Sequence, residues 1–133
     1  MAQLGLDHRD SSRRRSTIQS KKLSRIVDPP PSRAWVFIDE HELTINDGCF
    51  GIANPSWGRT NPDEFPWIDF RADRHNNGAN LSFADGHVAP HRWKFHHNPW
   101  SIDKETEVKE TPITNAIDRA DLKWLFEGIP HSP

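Results

Sequence analysis

Apolar positions fall into short blocks separated by turn signals, and the blocks predict a small antiparallel sheet closed by one helix. Ala34-Trp-Val-Phe-Ile38 is an unbroken apolar run of β-branched and aromatic character, the pattern of a strand buried on both faces. Polar residues 39–48 follow and end in the turn signal Asn46-Asp47-Gly48. Cys49-Phe-Gly-Ile-Ala53 then predicts the antiparallel partner of the first strand. Residues 54–66 hold Pro55, Pro62 and Pro66 and predict a loop, and Trp67-Ile-Asp-Phe70 a short strand or extended edge. Ahead of these, Asp28-Pro-Pro-Pro-Ser32 predicts a stiff, extended lead-in, because three prolines neither continue a helix nor donate to a ladder. Residues 94–113 are irregular. The last element is helical: Asn115 is the predicted N-cap, Ile117, Ala120, Asp121, Trp124 and Leu125 trace one face, and Gly128 with Pro130 forms the stop.

The stretch HNNGANLSFADGHV, His75 to Val88, carries two turn signals, Asn77-Gly78 and Asp85-Gly86. Both dipeptides favour two-residue type I′ turns, whose central residues take positive φ. Two such reversals predict a meander with Ala79 to Ala84 as its middle strand. With Asp85-Gly86 as the loop, Ala84 pairs with His87, Phe83 with Val88, Ser82 with Ala89, Leu81 with Pro90 and Asn80 with His91. Leu81, Phe83, Val88 and Pro90 then share an apolar face, and Asn80, Ser82, His87 and His91 a polar one. His87 and His91 would grip one metal on a helix, but on a strand they stand roughly 13 Å apart, too far for ligand bonds near 2 Å. His75 falls beside Asn80, roughly 16 Å from Asp85 along the strand. His75, Asn77, Gly78, Asp85 and Gly86, with Asp47 and Gly48 upstream, therefore read as turn devices. On that reading Gly86→Val disrupts folding, since positive φ is costly for a β-branched residue.

Composition tightens the picture. The 133 residues allow one domain, and with 34% apolar residues and a mean hydropathy of −0.82 the core must lean on six Trp and seven Phe. No run spans a bilayer and no signal peptide is legible. Residues 1–25 hold seven Lys/Arg against Asp7 and Asp10, a balance of +5, which leaves −7 on the remainder of a chain whose net charge is −2. Residues 1–24 lack apolar periodicity and are predicted to be a disordered basic arm, 25–128 a β-rich head and 129–133 a tail. With no aromatic residue interleaved to stack on bases, the arm is not read as a nucleic-acid site.

Candidate chemistry is sparse. Gly-x-Ser-x-Gly, His-Glu-x-x-His and phosphate-loop patterns are absent, so no enzyme is predicted. Cys49 reads as a packed thiol, and Asp63, Glu64 and Asp69 show no paired spacing. Asp39, Glu40, Glu42 and Asp47 crowd one loop and form the candidate calcium set, since hard cations take several oxygen ligands; no other cofactor is indicated. Trp57, Trp67 and Trp100 are the candidate platforms for a carbohydrate-binding alternative.

His75, nine residues, then Asp85-Gly86 resembles the His-x9-Asp-Gly signature of the prepilin-type processing-associated domain. That domain forms the C-terminal head region of type II secretion pseudopilin-like proteins of the Planctomycetes and Verrucomicrobia type. The likeness extends to Lys22-Leu-Ser-Arg-Ile-Val, Pro31-Ser-Arg-Ala-Trp-Val-Phe-Ile-Asp-Glu40, Ile45-Asn-Asp-Gly48, His87 to Trp93 and Asp121-Leu-Lys-Trp-Leu125, covering roughly residues 20–126. The resemblance implies an α+β, pilin-head-like β-meander with a short C-terminal helix, without enzymatic activity or a small-molecule substrate. Its partners would be other pilin-like subunits or secretion-apparatus proteins. The family's leader and N-terminal hydrophobic helix are missing, so the chain reads as a C-terminal fragment, a decayed copy or a gene read from an internal start. The family implies an extracytoplasmic place in the cell envelope; this chain, lacking signal and anchor, is expected in the cytoplasm if expressed alone. Losing the family's helix is expected to uncover apolar surface around Trp35, Phe37 and the Leu81/Phe83 face, with poor stability and hydrophobic-dye binding as the result.

Overall fold

The computed structural model describes residues 2–5, 23–52, 61–97, 113 and 115–130, with backbone alone for 2–5. Its strands are β1 (Ala2–Gly5), β2 (Trp35–Ile38), β3 (Cys49–Gly51), β4 (Gly78–Phe83) and β5 (Val88–Arg92); its helix is α1 (Ala116–Glu127). They form one sheet in the order β3-β1-β2-β4-β5, parallel at β1/β3 and antiparallel elsewhere. The mainly antiparallel α+β class expected from the sequence is what the chain adopts. No helix among the described residues is long and apolar enough to cross a membrane.

Four expectations are corrected. Residues 2–5 leave the predicted disordered arm and supply β1, which pairs Ala2 with Ile38 and Gln3 with Cys49. β1 thereby separates β2 from β3, so the Cys49 strand is not the direct partner of β2. β2 itself is not buried on both faces. Trp35 and Ile38 are 1% and 0% exposed whereas Phe37 is 36% exposed, and a register irregularity between Trp35 and Phe37 turns both Trp35 and Ile38 toward the core. The proline segment bends instead of running straight: Arg33 and Ala34 both donate their N–H to Pro30 O, the fixed proline φ suiting turn positions.

The helix has the predicted caps. Asn115 Oδ1 accepts from the Ile117 N–H at 2.7 Å, and the Gly128 N–H returns to Leu125 O. Its buried stripe is rotated from the predicted one, to Asp118, Asp121, Leu122 and Leu125, leaving Ile117 and Trp124 50% and 37% exposed. Two aspartates lie where an apolar pattern would place aliphatics, because each meets donors from the sheet side. This helix covers the face expected to be bare. Trp35 Nε1 donates to Leu125 O at 2.8 Å, and Trp35, Phe50, Leu81, Trp93, Leu122 and Leu125 belong to one buried cluster. Phe37, pointing away from α1, keeps its exposure.

β5 is a free edge. Phe83 N–H donates to His87 O and Trp93 N–H to Asn77 O, so the bonded pairs fall at alternate positions and the backbone groups of Val88, Pro90 and Arg92 point outward. Pro90 therefore sits where no ladder bond is lost. At the other edge, Asp69 N–H bonds Gly51 O and Ile52 bridges Trp67, so the 67–71 segment lies along β3.

Candidate functional site

The signature stretch builds the β4–β5 hairpin, but in another register than its dipeptides suggest. The Gly86 N–H donates to Phe83 O at 2.9 Å and Phe83 pairs with His87, which makes a three-residue loop, 84–86. Ser82 then faces Val88, Leu81 faces Ala89, Asn80 faces Pro90 and Ala79 faces His91. A two-residue type I′ loop needs two positive-φ residues; the three-residue loop needs one, and Gly86 supplies it at φ +95. Because side chains alternate with period two, the one-residue slip turns all of β5 over. Val88 becomes 63% exposed, while His87 and His91 join the face of Phe83, Leu81 and Ala79.

The histidines go to separate partners. The His87 ring stacks on Phe83 at 4.4 Å and its Nδ1 lies 2.5 Å from Asp85 Oδ1. Asp85 also accepts the His87 N–H, and these bonds hold its carboxyl below the usual carboxylate range. His91 stacks on Trp124 at 3.6 Å, and burial pushes its pKa down. His75 Nε2 stands 3.9 Å from Asp39 Oδ2, the oxygen that accepts from Asn80 N and Nδ2. His75 and Asn80 thus meet at Asp39, whereas Asp85 and His87 are a bonded pair.

The Asn77-Gly78 end is corrected in a different way. The left-handed residues there are Asn76 and Asn77, at φ 54 and 57, and not Gly78. A Cβ on Gly78 would meet His91 O at 2.6 Å and His75 O at 2.9 Å, so this glycine is required for the close approach of two backbones. Asn77 Nδ2 donates to Trp93 O at 2.9 Å and to Phe95 O at 3.3 Å. The reversal does not pair residues before 75 with β4, whose second neighbour is β2; the meander is β2, β4, β5, and residues 39–77, which carry β3 and the 67–71 segment, are inserted between the first two.

The acidic loop is divided among four tasks. Asp39 binds Asn80, Glu42 pairs with Arg74, and Asp47 accepts the Cys49 N–H at 2.7 Å. Glu40 is 3% exposed, with Oε1 accepting from Thr44 Oγ1. Burial, with Asp69 nearby, raises its pKa to about 7. Burial likewise pushes the Cys49 thiol up. Gly48 has open space around it. Among the described residues, no three His, Cys, Asp or Glu side chains are placed to share an ion. Of the candidate sugar platforms Trp67 is 0% exposed, and Trp57 and Trp100 lie outside the described residues.

Sequence reasoning missed the polar junction under α1. Asp121 Oδ2 accepts the N–H groups of Lys94 and Phe95 at 3.0 and 2.9 Å and lies 3.5 Å from Arg71 Nη2. Asp118 Oδ1 accepts from Trp67 Nε1 at 2.9 Å and stands 2.8 Å from His97 Nε2. The Arg71 guanidinium lies 4.4 Å from the Trp93 ring centre and 5.5 Å from that of Trp67, and donates to Phe95 O. Burial lowers its pKa to about 10 although Asp121 and Asp118 pull it up. The available signal was Asp121 itself, an acid standing in the predicted apolar stripe.

Between the 29–34 bend, the hairpin and the end of α1 runs a groove of about 230 Å³, floored by Trp35, Phe83 and Trp124 with Arg33 and Glu127 among its lining. Asp85 N–H reaches Pro31 O and Ala84 N–H reaches Ala34 O, tying the hairpin tip to that bend.

No family model, curated protein or solved structure matches the chain.

Proposed function

We propose that this chain is a non-enzymatic structural or assembly module, resembling the extracytoplasmic head of a type II secretion pseudopilin, whose partners are pilin-like subunits. The observation that carries this reading is the use made of the signature residues. Asp85 and Gly86 close the hairpin tip, which bonds Pro31 O through the Asp85 N–H and Ala34 O through the Ala84 N–H, and Asn76 to Gly78 close the other end against Trp93 and His91. These are framework bonds, and they hold β4 and β5 to each other and to the 30–34 bend. Further support comes from the sheet face turned away from α1. Phe37, Ser82 and Val88 are directly opposed across three strands, and Phe37 and Val88 are 36% and 63% exposed. Phe37 and Val88, on either side of Ser82, are the apolar side chains this face offers to a partner.

The test is site-specific photo-cross-linking in cells that express the pilin-like subunits of a type II secretion system. A photoreactive residue at position 88 is expected to give adducts with those subunits, and one at Lys123, on the exposed side of α1, is not. Equal yields from both positions, or none from 88, would refute the reading.

A further inference from the structure

Glu40 bridges through its backbone to Arg71, yet among the described residues no Lys, Arg or His side chain is paired with its carboxyl. The Arg71 guanidinium turns toward Phe95 O and Asp121, and Arg74 Nη2 donates to the Glu40 carbonyl oxygen. One carboxyl oxygen, Oε1, accepts from Thr44 Oγ1 at 3.1 Å, and the other, Oε2, is buried without a hydrogen-bond partner. The side chains whose charges act on it are acidic: Asp69, itself 6% exposed and accepting the Gly51 N–H at 2.5 Å, and Asp47. The Cys49 thiol feels the same three acids. The α-amino group acts in the opposite sense and most weakly.

We propose that Glu40 is a proton-operated latch: protonated, it lets the 41–51 loop, strand β3 and the 67–71 segment close on one another, and its ionisation releases them. An ionised carboxylate seeks several donors and here has one, while a second anion stands close by. The neutral acid leaves a single hydrogen bond unmet, a much smaller penalty than an uncompensated buried charge. Asp69 is engaged as an acceptor by Gly51, which assigns the proton to Glu40. The bonds that would open are those joining the three segments: His41 N–H to Phe70 O, Asp69 N–H to Gly51 O and Phe70 N–H to Thr44 Oγ1.

The sign follows from linkage. Glu40 titrates near pH 4.5 when unfolded and near 7 in the fold, so the folded state holds the extra proton between those values. Stability contributed by this group is full below pH 4.5 and is lost as pH rises through 7. The folded-to-unfolded ratio should fall on the order of 100-fold across that window. Hydrogen exchange and urea unfolding of the full chain, from pH 5 to pH 8, test this against Glu40→Gln. In the wild type, protection of 41–51 and 67–72 should drop beyond the intrinsic base-catalysed rise while α1 keeps its protection; in E40Q both should persist. A wild type and E40Q with the same pH dependence would overturn the latch. A readout independent of the variant's folding is the infrared carbonyl stretch of a protonated carboxyl. It must survive above pH 6 in the wild type, and its absence there also overturns the proposal. Addition of calcium or magnesium chloride at pH 7.5 should leave stability unchanged; stabilisation of the wild type but not E40Q would make the pair a cation site instead.

Discussion

Gly78 and Gly86 end two similar dipeptides but work for opposite reasons, and replacing each by Ala separates them. At Gly86 an added Cβ meets nothing within 4 Å, so Gly86→Ala carries only the strain of holding φ +95, about 1–2 kcal/mol. At Gly78 the same methyl would lie 2.6 Å from His91 O. Relief requires β4 and β5 to part by roughly half an ångström or more at that end, since contacts below ~3.0 Å are not tolerated by close-packed interiors. The bonds that stretch are Trp93 N–H to Asn77 O, at 2.8 Å, and Asn77 Nδ2 to Trp93 O, at 2.9 Å. Each contributes about 1 kcal/mol, and leaving the buried Asn77 amide poorly paired adds about 1–2 kcal/mol more. Gly78→Ala should therefore cost about 3–4 kcal/mol, a large part of the roughly 5–15 kcal/mol available to a domain. Urea unfolding followed by tryptophan fluorescence measures both variants. Equal losses, or a greater loss at Gly86, would refute the close-approach argument.

Arg71→Met should lower stability by about 3 kcal/mol, seen as a fall of roughly 10 °C in melting temperature. It strips the counter-charge from buried Asp121 and from the face between Trp67 and Trp93. Asn115→Ala should cost about 1 kcal/mol by removing the acceptor for the Ile117 N–H, measurable as a small shift of the urea midpoint. His91 has a folded pKa below its unfolded value because it is buried against Trp124. The unfolded chain therefore binds the extra proton as pH falls through 6.5, and the contribution of His91, full above that pH, is lost below it. His91→Phe keeps the stack and should abolish that decline, so the difference in stability between wild type and variant should change between pH 7 and pH 5.

Local patterns carried much of the framework. The runs around Trp35 and Leu81, the Asn115 cap, the Gly128 stop and the backbone bond accepted by Asp85 follow from short-range chemistry. The hairpin register did not, because Asp-Gly fits a two-residue loop and also ends a three-residue one; what decides is farther along, where the observed register brings Trp93 into the core at 2% exposure and leaves Val88 outside. The helix face was misread because Asp118 and Asp121 look solvent-bound until Trp67, Lys94 and Phe95 arrive from 51, 27 and 26 residues away. β1 has no strand-like pattern of its own, being set between β2 and β3 by long-range pairing. Glu40 is alike among four loop acids in the sequence, and only burial singles it out.

An edge strand is an open invitation to any extended peptide that can match its row of donors and acceptors. On β5 the middle member of the outward row is Pro90, which offers a carbonyl but no N–H and sets a ring in the path of an incoming chain. Copies of this protein are thereby discouraged from growing as one continuous sheet through that border. Any neighbour taken up by the sheet would have to be chosen by side chains on its flat side rather than by the backbone of this border.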